Sequence, residues 1–218
     1  MRADFPAGDV DAQLAFIEQR ILPLDVVPEW ACGEVENAAF LRDAMGITEF
    51  RDAAVLIGLV RRETALNVLL TVRAEDMRSH AGQVSFPGGR VDDGDLSVVH
   101  AALRELSEET GIERAGVRPF GVLPPLATVS GYQVVPVVAE ITSDYQVTLN
   151  PREVAEVFEA PLEWLLDSSN LEYFEFGAGG QVRQIPQYLV HADHAPHRIW
   201  GATAMMLQSL RAHLESEP

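Results

Sequence analysis

The segment that most restricts the fold runs from about residue 97 to Ile112. Val98, Val99, Ala102, Leu103 and Leu106 recur at helical spacing, so residues 97–110 read as a helix with one buried side, ended by Gly111. Its last turns carry Glu105, Glu108 and Glu109. Glu105 and Glu109 are i,i+4 neighbours and Glu108 adjoins both, so the carboxylates repel one another and oppose the helix dipole. Each such term costs only about 0.2–0.5 kcal/mol in water, but all have the same sign. A bound cation reverses that sign, and hard divalent ions such as Mg²⁺ or Mn²⁺ favour oxygen ligands that bridge to phosphates. Arg104, i,i+4 to Glu108 and next to Glu105, is placed to orient a carboxylate, and Ala101 leaves room one turn before Glu105. The bland alternative is a solvated acidic face. A helix anchored to a core by its other side suits a site better.

Around this helix the chain alternates strand-like and helix-like runs. Residues 10–22 and 35–45 read as amphipathic helices. Ala53–Val60 and Ala65–Arg73 are apolar, strand-like runs joined by residues 61–64, a hairpin pattern. Gln83–Phe86 is a short extended piece before the turn Phe86-Pro87-Gly88-Gly89. Val117–Leu123 and Gln133–Ile141 return to strand, Pro161–Asp167 to a short helix, and Leu171–Phe176 with Gln181–Val190 form a hairpin around residues 177–180. Trp200–Leu214 closes with a helix. Interleaved strands and helices predict an α/β (α+β) protein, a mixed sheet with helices on both faces.

Composition narrows the partners. The net charge of −17 argues against non-specific nucleic-acid or anionic-membrane binding, which need a basic footprint. All 16 basic residues are arginine. The absence of lysine excludes a P-loop and Schiff-base chemistry. An acidic chain that handles phosphates must supply positive charge locally, from metal ions and a few arginines. Cys32 has no partner for a disulfide, the first residues have no apolar signal segment, and no run reaches about 20 apolar residues. A cytoplasmic protein is expected. Other constellations fail on their spacing. His191, His194 and His197 lack accompanying cysteines and fall in a Pro-containing stretch read as a loop. Asp92-Asp93-Gly94-Asp95 lacks the later Gly and Glu of a calcium loop, and no G-x-S-x-G elbow surrounds any serine. His100 sits off the glutamate face and reads as incidental. Trp200 and Tyr188 read as packing residues rather than base-stacking ones.

Arg104 to Ile112 resembles the second half of the Nudix box, G-x5-E-x7-R-E-U-x-E-E-x-G-U with U aliphatic. In the first half Gly89 is followed by Asp95 in place of Glu, and eight residues instead of seven separate Asp95 from Arg104. Upstream, Leu69-Leu70-Thr71-Val72-Arg73, Arg78, Gly82 and Phe86-Pro87-Gly88-Gly89 resemble the signature L-L-T-x-R-x4-R-x3-G-x3-F-P-G-G of the coenzyme A pyrophosphatase branch of the Nudix hydrolases. The longer box also fits that branch. Glu153-Val154 through Pro161-Leu162, and Ile199 to Ala204, resemble later landmarks.

The resemblance implies one Nudix domain over residues 1–218, an α/β/α sandwich with a helical N-terminal extension of about 50 residues, and a homodimer by analogy. It implies Mg²⁺- or Mn²⁺-dependent cleavage of the diphosphate of coenzyme A or its derivatives, giving 3′,5′-ADP and 4′-phosphopantetheine. Glu105 and Glu109 would be the main metal ligands, with Glu108 sharing or supporting them and the Gly88 carbonyl adding an oxygen. Arg104 would orient the glutamates. Glu153 is the candidate general base and Glu156 its fallback. Arg73 and Arg78 would hold the anionic substrate through guanidinium forks, and Gly82, Gln83 and Ser85 would shape the loop beneath it. Competing readings are a Nudix hydrolase of another substrate, such as ADP-ribose, a dinucleotide or a nucleoside triphosphate, and a non-catalytic nucleotide sensor. Retention of all three box glutamates argues against the sensor.

Overall fold

The computed structural model describes residues 5–26, 35–77, 80–192 and 195–216. Helices α1 (Val10–Glu18) and α2 (Glu36–Met45) lead into β1 (Arg51–Arg61) and β2 (Leu66–Arg73), followed by the short β3 (Val84–Ser85) and β4 (Gly88–Arg90). Helix α3 (Val98–Thr110) precedes β5 (Val117–Val122), β6 (Leu126–Ala127), β7 (Tyr132–Ile141) and β8 (Val154–Pro161). The chain ends through α4 (Leu162–Leu166), β9 (Glu172–Ala178), β10 (Gln181–Ala192), β11 (Ala195–Trp200) and α5 (Gly201–Glu215). Arg78, Cys32 and His194 lie outside the described residues.

The main sheet is mixed, as expected. β1 runs parallel to β7 on one edge, and on the other edge it is antiparallel to two partners in turn. Gly58–Arg61 pair with β2, whereas Ala53–Val55 pair with Gly88–Arg90 of β4. β1 thus leaves β2 half-way along and takes up the Gly88-Gly89 turn, a pairing tied further by the Leu56 N–H to the Pro87 carbonyl (2.8 Å). Such a central strand is buried on both faces and reads as a continuous apolar run. Its alternate residues divide between two cores. Ala53, Ile57 and Leu59 face the side covered by α1, α4 and α5, with Leu14, Ile17, Leu165, Leu207 and Leu210. Ala54, Leu56 and Val60 face α3, with Ala101, Ala102 and Leu106. The result is an α/β/α sandwich with α3 on the face that carries the carboxylates.

Two expected boundaries shift. Helix α1 stops at Glu18, and Leu22 instead bridges to Val122. The stretch holding His191 and His197 is not a loop: the two residues lie on β10 and β11, which pair from Gln187↔Trp200 to Ala192↔Ala195. Pro196 misled the reading because proline is tolerated on an edge strand, and β11 is at the edge of the order β11-β10-β9. β8 had no sequence signal: its glutamates at 156 and 159 break the apolar pattern, and only pairing along β2 makes it a strand. Tyr188 is buried opposite Trp164 (6.3 Å) and Trp200 packs on Phe174 (5.9 Å), as packing residues should.

Candidate active site

Helix α3 is placed by its ends. The Ser97 hydroxyl caps its start by accepting from the His100 N–H (3.1 Å), and Gly111, in the left-handed conformation, closes it. A second demand falls on Gly111, because a Cβ there would lie 2.9 Å from Thr148 of the chain crossing the helix end. That crossing segment donates from Thr148 N–H to Thr110 (2.8 Å) and from Asn150 N–H to Glu109 (3.0 Å). Helix carbonyls that lack intrahelical partners are thereby satisfied. The same crossing delivers Glu153 to the helix.

One carboxylate oxygen from each of Glu105, Glu109 and Glu153 lies within 4.8 Å of the others. Glu109 is the buried member; Glu105 and Glu153 are partly covered. The Gly88 N–H donates to Glu109 Oε2 (3.1 Å), and among the described residues Arg73 Nη1 lies 4.0 Å from Oε1. Burial pushes the Glu109 carboxyl up to about 8. The Gly88 bond and Arg73 work against that rise, while the charges of Glu105 and Glu153 add to it. Glu105 is also raised, chiefly by burial, with Arg104 opposing. The donors are hard oxygens clustered around a carboxylate whose burial outweighs its Gly88 bond and the Arg73 charge, so the set fits a divalent cation. The turn opposite is fitted closely to it: a Cβ on Gly89 would run into the Glu105 carboxylate.

Arg104 spans the site's outer edge. Its Nη1 donates to Glu105 Oε1 and to Glu108 Oε2, both at 2.9 Å, while Nη2 reaches the Arg90 carbonyl (3.0 Å) and Asp95 Oδ2 (2.9 Å). Asp95, with a side chain only 1% exposed, also accepts from Arg104 Nε (3.1 Å) and the Asp92 N–H (2.9 Å). The Arg104 guanidinium holds its carboxyl well below the usual range. Despite its shorter side chain and the extra residue before Arg104, Asp95 therefore anchors that arginine. His100 is not incidental either. Its Nδ1 is 2.9 Å from Asp95 Oδ1 and its Nε2 is 3.0 Å from Arg114 Nη1. A guanidinium only donates, so Nε2 accepts and the Nδ1–H is left for Asp95. The i,i+5 spacing from Asp95 across the helix start was the available clue.

The remaining predicted residues fall at different distances from this centre. Glu108 is 55% exposed and engaged by Arg104, outside the three-carboxylate cluster. Glu156 is turned to His197 Nε2 (3.5 Å), which stacks on Phe158. Arg73 adjoins the cluster, and its buried Nε makes no hydrogen bond among the described residues. Ser85 Oγ is 3.2 Å from Thr71 Oγ1, and the Gly82 N–H bonds the Arg73 carbonyl (3.1 Å), which ties the β2–β3 connection to the site. Sequence reasoning missed Asn150, whose side chain donates to Glu153 Oε1 (3.2 Å).

A sequence profile of the NUDIX domain matches residues 49–177, a span that takes in the turn, the carboxylate helix and Glu153. The chain belongs to the Nudix family. Among curated relatives, an Enterobacter sp. (strain 638) protein described as uncharacterized Nudix hydrolase NudL is 43% identical over 168 residues, covering 77% of this chain and 85% of the relative. The Escherichia fergusonii protein of the same description is 42% identical over the same shares. Among solved structures, the M. smegmatis Nudix hydrolase RenU is 21% identical, covers 56% of this chain and 78% of its own, and superposes with a TM-score of 0.47. The Nudix domain of Shewanella oneidensis NrtR, solved with ADP ribose, is 21% identical, covers 61% and 87%, and gives 0.42. The chain is thus a Nudix hydrolase, an enzyme acting on pyrophosphate bonds. Enzymes of this family generally use divalent metals, in keeping with the Glu105–Glu109–Glu153 cluster. Among the described residues no helix is long and apolar enough to cross a membrane.

Proposed function

We propose that this Nudix hydrolase cleaves the diphosphate of coenzyme A or its derivatives, giving 3′,5′-ADP and 4′-phosphopantetheine or its acyl form. The observation that carries the reading is the Leu69–Gly89 signature together with the position of its first arginine: Arg73 stands 4.0 Å from Glu109, and its buried Nε makes no hydrogen bond among the described residues. A guanidinium there suits an oxyanion of a diphosphate that approaches the carboxylates. Glu105 and Glu109 would hold a Mg²⁺ or Mn²⁺ ion beside Glu153, and the ion when bound would supply charge neutralisation and acidify a water. Arg104 keeps Glu105 turned toward the site, and the Gly88 N–H does the same for Glu109. Glu108 backs Arg104 from the solvent side. Glu153 takes the proton of the attacking water; Asn150 occupies its Oε1 and leaves Oε2 for that task. Gly82 and Ser85 set the β2–β3 connection, and Arg78, outside the described residues, is the second arginine of the signature. The whole chain acts as one catalytic domain with residues 1 to about 50 as its helical extension, a reading supported by Leu14 and Ile17 of α1 within the core.

The test is a product assay with Mg²⁺ or Mn²⁺ against coenzyme A, acetyl-coenzyme A, ADP-ribose, NADH, diadenosine polyphosphates and deoxynucleoside triphosphates. Release of 3′,5′-ADP from coenzyme A is the expected result. Intact coenzyme A beside efficiently cleaved ADP-ribose overturns the substrate assignment.

A further inference from the structure

Asn150 ties the end of α3 to Glu153 through both its backbone and its side chain. Its backbone N–H is bound to the carbonyl of Glu109 (3.0 Å), and its side-chain Nδ2 donates to Glu153 Oε1 (3.2 Å). The amide cannot be turned over, because its Oδ1 accepts from the Arg152 N–H (3.2 Å) and must stay an acceptor. Its own carbonyl accepts from the Glu153 N–H (3.0 Å) and the Val154 N–H (2.9 Å), closing a tight turn over Pro151 and Arg152. The Glu153 carbonyl in turn holds the Ala74 N–H (2.9 Å), next to Arg73. Glu153 lies 44 residues beyond Glu109 in the chain and belongs to neither α3 nor a regular strand. Its distance to the box glutamates is therefore set by this turn.

We propose that Asn150 is a positioning residue that latches Glu153 onto the end of α3 and fixes which carboxylate oxygen is presented to the site. The inference rests on the reading of Glu153 as a working member of the carboxylate cluster. Without the Nδ2 donor, two negative groups near each other would turn Glu153 toward solvent, since no other described side chain donates to it. Like charges at close range separate when their side chains are free to rotate. A residue that merely formed the turn would need only the Oδ1 acceptor, which is the common role of asparagine in such turns.

The two roles separate by substitution in the full chain. Asn150→Ser keeps a short side-chain acceptor for the Arg152 N–H but does not reach Glu153. Asn150→Asp keeps the acceptor and sets a second carboxylate against Glu153. Each variant, with Glu153→Gln and the double variant Asn150→Ser/Glu153→Gln, is assayed with Mn²⁺ on whichever nucleoside diphosphate derivative the wild type cleaves. The expected result is a loss of kcat of about 10–100-fold for Asn150→Ser, the range typical of partners that orient ligands, with KM within about twofold. Asn150→Asp should lose at least as much, and the double variant should be no slower than Glu153→Gln alone, as for two members of one unit. Wild-type turnover in Asn150→Ser, with Glu153→Gln inactive, overturns the role of Asn150 and leaves that of Glu153 standing. Full activity of Glu153→Gln overturns the Glu153 reading itself. Additive losses in the double variant with a falling Tm reduce Asn150 to a turn former. Should Asn150→Ser fail to fold, Asn150→Asp and its double variant with Glu153→Gln carry the same comparison.

Discussion

Glu159 and Glu109 are both well-covered carboxylates beside strand β2, and they are held in opposite ways. Glu159, opposite Leu69 in the β8–β2 register, receives Arg62 through both of its oxygens, with Nε to Oε2 at 3.0 Å. Asn67 Nδ2 donates to the same oxygen (2.9 Å) and the Tyr145 hydroxyl to Oε1 (2.6 Å). Burial alone would raise its pKa, yet the bonds from Arg62, Tyr145 and Asn67 bring it below the ordinary value. Glu109 has one backbone donor, an arginine at 4.0 Å and two further carboxylates. Burial wins there, and the group rises to about 8. A carboxylate whose lone pairs are satisfied by the protein serves the scaffold. One left short of donors and positive charge is kept for something that arrives from outside.

The sharpest way to break this contrast is Glu109→Gln. Turnover should fall by at least about 10²-fold, more than the loss of a mere orienting partner, while the thermal melt stays at or above that of the wild type. Near-normal activity would remove Glu109 from the site. Gly89→Ala tests the fit of the turn instead of the charge: its methyl group displaces the Glu105 carboxylate, and a 10–100-fold drop in kcat is expected with the fold retained, as judged by circular dichroism. An unchanged kcat means that Glu105 has room to move.

Proton linkage gives the next effect. Metal-free folded protein holds the Glu109 proton up to about 8, whereas the unfolded chain releases it near the ordinary glutamate value of about 4.5. The folded state therefore binds more protons in that window, and its stability without metal falls as pH rises through it. Mn²⁺ binding at pH 7 should release about one proton and tighten by up to about tenfold per pH unit until pH 8. Calorimetry in buffers of different ionisation enthalpy reads this directly; binding without proton release contradicts it. The smallest effect on activity belongs to Glu159→Ala, which should leave kcat within about twofold. Its cost is to the fold, about 1–3 kcal/mol from unpaired Asn67 and Tyr145 and a freed Arg62, or about 2–4 °C of Tm per kcal/mol. A variant that kept its Tm but lost activity would move Glu159 from scaffold to site.

Much of the fold was legible because its strongest elements carry their own signals. The apolar runs of β1 and β2 with a four-residue connection, the capped and glycine-ended α3, and the hairpin turning at residues 179–180 all formed where expected. What failed to register were strands created by their neighbours. β4 is three residues long and exists because β1 turns away from β2; β8 carries glutamates that Arg62, Asn67, Tyr145 and His197 accommodate. In the site, Glu105, Glu109 and Arg104 were readable from helical spacing. Asp95 looked displaced and His100 idle, because their contacts cross the irregular entry to the helix, where spacing has no fixed geometry.

The sequence alone determined that three carboxylates ride on a core-anchored helix, that a glycine turn precedes it, and that the only fixed positive charge is arginine, because these follow from periodicity, chain punctuation and composition. The tertiary structure decided which carboxylates come together. Glu108, one residue from Glu109, points to solvent and Arg104, while Glu153, distant in the chain, joins Glu105 and Glu109. Adjacent helix positions differ by about 100° in direction, so neighbours in sequence diverge. A distant turn arrives only when backbone hydrogen bonds to the helix end, and the space left by Gly111, hold it there.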